Sequence, residues 1–139
     1  MKSLVVDASL VAKWVLPEVH SDAARDLLLA AEVLAPDLLW AELGNVLWRR
    51  WRQNDLDAQM ARAMLSDLRS LEIVNFPVRP LLPSALDIAM SINHGVYDCV
   101  YLALAEETDG VMVTADRRFH DLVARSVWAD RIAWIEDST

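Results

Sequence analysis

Residues 96–122 read VYDCVYLALAEETDGVMVTADRRFHDL, and the fold depends on how this stretch divides. Residues 97–108 are apolar at helical spacing and stop at Asp109-Gly110, where a helix is expected to end. "VMVT" (111–114) reads as a short strand, and 117–125 resumes a helical pattern. Helix, strand and helix joined this closely form the repeating unit of an α/β sheet. Two carboxylates interrupt the pattern: Asp98 in the first helix and Asp116 just after the strand. Both read as half-buried, and a buried carboxylate is costly unless something neutralises it.

The same alternation extends along the chain. "SLVV" (3–6) reads as a strand, and a helix is expected from Ser9 until Pro17. A second helix, 21–31, opens on a good cap, Ser21 or Asp22. "EVLAP" (32–36) is the next strand, and Leu39, Leu43, Val46 and Leu47 mark a helix from Asp37 to about Gln53. Leu56, Met60, Met64 and Leu68 form one helical stripe, expected to pack into the core. "EIVNF" (72–76) is a third strand. Pro80 and Pro83 lead into a helix expected to stop at His94-Gly95, and "IAWI" (132–135) is the last strand. This order implies an α/β sandwich: one domain over 1–139, with a mainly parallel sheet covered by helices on both faces. In such folds ligands bind at the carboxyl ends of the strands.

Composition narrows the function. The chain carries 55% apolar and 24% charged residues, ordinary for a globular protein, and its net charge of −8 argues against loose binding of nucleic acid. No apolar run reaches the roughly 20 residues a bilayer requires. Asp7 and Lys13 interrupt the apolar N-terminus, so it reads as a strand of a cytoplasmic protein rather than a secretion signal. The single cysteine, Cys99, makes neither a disulfide nor a zinc site and is expected in the core. Of 13 basic residues only Lys2 and Lys13 are lysine. Arg49, Arg50 and Arg52, then Arg117 and Arg118, form two arginine clusters.

Asp7 and Asp116 each follow a strand, so both belong at the carboxyl edge, and they meet only if their strands are neighbours. Glu42 lies in the first turns of its helix and Asp98 at the start of another, where the helix dipole eases crowding of carboxylates. Among 21 acidic residues, a cap or a surface position is the ordinary explanation of any one. Their neighbours shift that balance. Ser9 stands two residues after Asp7, Asn45 three after Glu42 and Thr114 two before Asp116, as small polar groups around a metal or a water would. Hard oxygen donors converging on one point suit Mg²⁺ or Mn²⁺ rather than zinc.

"VVDASLVAKW", "LLWAELGNVLWR", "YDCVYLALAEE" and "VMVTADRRF" resemble, in order and spacing, the motifs of the PIN-domain family, above all its VapC toxins. The resemblance covers essentially the whole chain. It implies a parallel sheet in the order 3-2-1-4-5 and a metal-dependent endoribonuclease. On this sequence the implied catalytic acids are Asp7, Glu42, Asp98 and Asp116, with Asp7, Asp98 and Asp116 on Mg²⁺ or Mn²⁺. Ser9, Asn45 and Thr114 are the supporting positions. It also implies a VapB-like antitoxin as partner, a homodimer, and a toxin–antitoxin hetero-oligomer. Arg49, Arg50, Arg52, Arg117 and Arg118 are the expected rim for RNA phosphates. Trp48 and Trp51 are expected inside a helix interface, with base stacking or a partner contact as the alternative; Trp14, Trp40 and the 56–68 stripe are candidate partner surfaces.

Two enzyme classes of similar layout fit less well. A receiver-type phospho-acceptor requires a late lysine, and none follows Lys13; a haloacid-dehalogenase-like phosphatase requires an aspartate where Ser9 stands. The remaining alternative is a PIN scaffold that binds RNA or protein without cutting it.

Overall fold

Val5 and Val6 point to opposite faces of the first strand and both are buried, so this strand must be covered on its two sides. The computed structural model describes residues 3–137, which leaves Lys2 outside it, and shows how that cover is built. Five strands, β1 (Ser3–Val6), β2 (Glu32–Pro36), β3 (Val74–Phe76), β4 (Val111–Thr114) and β5 (Ile132–Trp134), form one sheet in the order β3-β2-β1-β4-β5. Every pairing is parallel, and Val6 lies opposite Val113 in the β1–β4 register. The strands that end at Asp7 and Thr114 are therefore neighbours.

The helices are α1 (Ala8–Ala12), α2 (Ser21–Ala30), α3 (Leu38–Arg52), α4 (Ala58–Arg69), α5 (Leu82–Ile92), α6 (Val96–Glu107) and α7 (Arg117–Ala124). Connections run outward from β1 through β2 to β3, then cross back to β4 and on to β5. Right-handed crossovers put α1–α4 on one face and α5–α7 on the other. Helix α6 supplies most of the cover on its side: Cys99 through Ala105 are all buried, and it packs on β1, β2 and β4. Cys99 is a core residue, as its setting in the sequence implies.

Several boundaries differ from the sequence expectation. Helix α1 ends at Ala12; residues 13–16 continue as tight turns, with Lys13 N–H on Leu10 O and Leu16 N–H on Ala12 O. Glu72 and Ile73 fall outside β3, an edge strand whose Val74 is exposed. Gly95 does not end α5. Asn93 does, in the left-handed region at φ 55°, and Gly95 opens α6 as its N-cap. The 56–68 stripe is only partly core: Leu56 and Leu68 are buried, but Met60 is exposed because α4 packs as an outer helix against α3. Trp48 and Trp51 are not enclosed either, each 48% exposed. Leu39, Leu43 and Leu47 occupy the inward row of α3, which leaves the two tryptophans on its flank beside an open recess of about 350 Å³.

Asp109 takes the left-handed turn after α6, at φ 54°. Gly110 has a different reason to be glycine: a Cβ there would stand 3.0 Å from the Ser3 carbonyl oxygen of the neighbouring strand. Gly110→Ala should therefore cost about 1–3 kcal/mol of unfolding free energy in urea titrations. An unchanged midpoint and slope would show that β4 can shift away from β1 without loss.

Candidate active site

Asp7 is the N-cap of α1, with Oδ1 accepting from the Leu10 N–H at 2.9 Å. Asp116 repeats the device at the end of β4: it caps α7, with Oδ1 accepting from the Phe119 N–H at 3.1 Å. Thr114, fully buried between them, accepts from the Asp116 N–H at 3.0 Å and donates toward Asp7 Oδ2 at 3.5 Å. Two strand ends and one hydroxyl thus set this pair of acids at adjacent positions on the edge. Asp116 itself is exposed, not half-buried as its place after a strand suggests, because capping turns it outward over α7.

The helices bring the other two. Glu42 lies on α3 and accepts from the hydroxyl of Tyr101, a fully buried residue of α6. This bond ties the helices from the two faces together over the end of the sheet. Asp98, in the first turn of α6, has Oδ2 2.7 Å from His94 Nε2, and the His94 ring packs on Phe119 of α7 at 4.8 Å. Tyr101 and His94 are absent from the sequence-derived site. The spacing of His94 four residues before Asp98 was available as a signal, but a helix break lies between them.

Electrostatics separates the four. Burial pushes the Asp7 carboxyl up from 3.8 to about 7; the Leu10 N–H opposes this, and the charges of Asp98, Glu42 and Asp116 add to it. Crowding is thus real but secondary to desolvation. Glu42 is also raised, first by burial and then by Asp98, against the lowering effect of the Tyr101 hydrogen bond. Burial and Glu42 together hold the Tyr101 hydroxyl far above its usual range, so it stays a donor. Among the described residues no lysine or arginine forms an ion pair with Asp7.

Ser9 and Asn45 line a recess of about 340 Å³ together with Glu42, Arg49 and Tyr97. Ser9 and Arg49 also line a second recess of about 460 Å³, with Lys13, Glu18, Arg50 and Asp116. The five arginines divide. Arg49 and Arg50 face this second recess, whereas Arg52 lies over Trp48 at 5.4 Å on the flank of α3. Arg117 stacks on Trp134 at 4.7 Å and reaches Asp121 at 3.6 Å; Arg118 is exposed.

The four acids offer only carboxylate oxygens, and Asp7 is a buried acid that forms no ion pair among the described residues; both properties fit Mg²⁺ or Mn²⁺. Among the described residues, however, no three His, Cys, Asp or Glu side chains stand close enough together to hold an ion. Glu42, Asp98 and Asp116 are each held by another partner: Tyr101, His94 and the Phe119 N–H.

Comparison with known proteins gives a consistent answer. The PIN domain profile matches residues 4–124. Ribonuclease VapC3 of Pyrobaculum aerophilum is 35% identical over 120 residues, 83% of this chain and 90% of the relative. Ribonuclease VapC9 of Mycobacterium tuberculosis is 32% identical over 118 residues, covering 85% and 89%. Among solved structures, PAE2754 of Pyrobaculum aerophilum superposes with a TM-score of 0.72 at 24% identity, over 97% of this chain and 90% of its own. VapBC2 of Rickettsia felis, bound to a DNA fragment from its promoter, gives 0.62 at 13% identity, over 86% and 92%.

A raised carboxyl stabilises the native state only while protonated. That contribution is fully present below pH 3.8 and is lost as pH rises through about 7. At about 1.4 kcal/mol per pH unit the loss is on the order of 4 kcal/mol. Urea titrations in EDTA should show wild type weakening over this window and Asp7→Asn, which keeps the cap acceptor, flatter and more stable above it. Parallel profiles for the two proteins would show that Asp7 is not the buried acid described.

Proposed function

The chain belongs to the PIN-domain family, in its VapC group, and from that premise we propose that it is an endoribonuclease dependent on Mg²⁺ or Mn²⁺, the toxin of a toxin–antitoxin pair. The observation that carries the proposal is the buried Asp7 at the carboxyl edge, which forms no ion pair among the described residues, with three further acids whose charges bear on it. Asp7, Asp98 and Asp116 would hold the cation. When bound, it supplies a water of lowered pKa and polarises the scissile phosphodiester.

The protein groups have separable roles. Thr114 fixes the Asp7 carboxylate and the turn before Asp116. Tyr101 occupies one oxygen of Glu42, leaving the other to orient the attacking water. His94 holds Asp98 against rotation. Hydrolysis by this route leaves a 5′ phosphate and a 3′ hydroxyl. Arg49 and Arg50, beside Ser9 and Asp116, are positioned to meet the flanking phosphates.

A VapB-like antitoxin is the proposed inhibitor, and a homodimer and a toxin–antitoxin hetero-oligomer are the proposed assemblies. Among the described residues no helix is long and apolar enough to cross a membrane. A scaffold that binds RNA or protein without cutting it is the second reading, favoured by the absence of a gathered set of metal-ligating side chains among the described residues.

Antitoxin-free protein incubated with total RNA should give discrete products in Mn²⁺ or Mg²⁺ and none in EDTA. Asp7→Asn and Asp98→Asn should each slow cleavage at least about a hundredfold. Cleavage that survives Asp7→Asn would eliminate the proposed site; Mn²⁺-independent RNA binding without cleavage would support the scaffold.

A further inference from the structure

The recess of about 460 Å³ beside Asp116, where Arg49 and Arg50 face the flanking phosphates, also holds an acid and a lysine, Glu18 and Lys13, to which the nuclease reading gives no role. Glu18 lies in the segment between α1 and α2. Its Oε1 accepts from Lys13 Nζ at 3.2 Å and its Oε2 from Arg50 Nη2, so one carboxylate spans two cations from different elements. Neither cation is freely solvated: the Lys13 side chain is 11% exposed and that of Arg50 29%. Burial, with Arg50 nearby, holds the Lys13 ammonium below its usual range, although Asp7 opposes this. Arg49 lines the same recess, and among the described residues its side chain forms no ion pair.

Three basic groups around one recess, open on one side toward Asp116 and Ser9, form a pocket for a tetrahedral oxyanion. A carboxylate of this chain already occupies part of it. Arg50 gains nothing structurally unique from Glu18, because Asp55 also lies 3.6 Å from its Nη1. The segment that carries Glu18 is anchored independently by the Ser21 hydroxyl, which accepts from the Glu18 N–H and donates to Leu16 O. The carboxylate can therefore leave the cations without unfolding the turn.

We propose that Lys13, Arg49 and Arg50 form a subsite for an RNA phosphate next to the scissile one, and that Glu18 occupies this subsite as a phosphate surrogate until RNA displaces it. The inference rests on the nuclease reading and adds a regulatory element to it: the resting site is shielded by its own acid. An acidic protein (net charge −8) would thereby hold its cations in reserve for a polyanion rather than present them to any anion.

The test is fluorescence anisotropy of a labelled single-stranded RNA, in the cleavage-dead Asp7→Asn background, as a function of salt. Glu18→Gln should tighten binding about fivefold, the equivalent of one ion pair that no longer breaks on association. Lys13→Gln should weaken binding and flatten the salt slope by about 0.7, one phosphate contact on a single strand. In the double variant the gain from Glu18→Gln should largely disappear. Thermal melts control for folding.

If Glu18→Gln leaves affinity unchanged or lowers it while the melting temperature falls, Glu18 is a structural clamp and the inference is overturned. Tighter binding of polyglutamate but not of RNA would assign the pocket to an acidic protein segment and overturn it equally. Wild-type protein that cuts RNA yet is indifferent to both variants overturns this inference alone. Protein that neither binds nor cuts RNA overturns the nuclease reading and this inference with it.

Discussion

Asp7 stands at the end of the central strand with 8% of its surface exposed, and much of the architecture serves to hold it there. A carboxylate so placed must be protonated, paired or bound to a cation. The chain provides one backbone N–H and one hydroxyl but no ion pair among the described residues, and burial raises the carboxyl to a pKa of about 7. The parallel sheet order explains why this is possible. Placing β1 between β2 and β4 buries Val5 and Val6 on two faces and brings the start of α1 and the end of β4 to the same edge.

The second constraint is how α3 and α6 meet over that edge. Tyr101 is buried and donates to Glu42, so its ring is part of the core while its hydroxyl belongs to the site. Asp98 is tied to His94, and the His94 ring packs on Phe119, so the turn between α5 and α6 links the start of α6 to α7. Such outer partners orient acids that repel one another, and in metal sites their replacement commonly costs about ten- to a hundredfold in affinity or activity.

What was legible in the sequence follows from these constraints. Strands and buried helices announced themselves through apolar periodicity, because β1, β4 and α6 have no exposed face to dilute the pattern. The places of the four acids on their elements, two just after strands and two near helix starts, were legible. What was not legible depended on tertiary neighbours. The partners of Glu42 and Asp98 come from other elements or across a helix break, and nothing in the spacing of Glu42 and Tyr101 announces their bond. Burial of Trp48 and Trp51 was misjudged because helical periodicity gives a face but not what covers it. The sequence points to a helix stop at His94-Gly95, whereas Asn93 makes the left-handed turn; both glycine and asparagine tolerate it and only the backbone decides.

The most direct test of the proposed role of Asp7, a buried acid that must ionise to take a cation, is calorimetric titration of metal-free protein with Mn²⁺ near pH 6 in two buffers of different ionisation enthalpy. Binding should release close to one proton, because Asp7 must ionise to accept the ion. The release should disappear in Asp7→Asn. Binding with no proton release, or release that persists in Asp7→Asn, would contradict it.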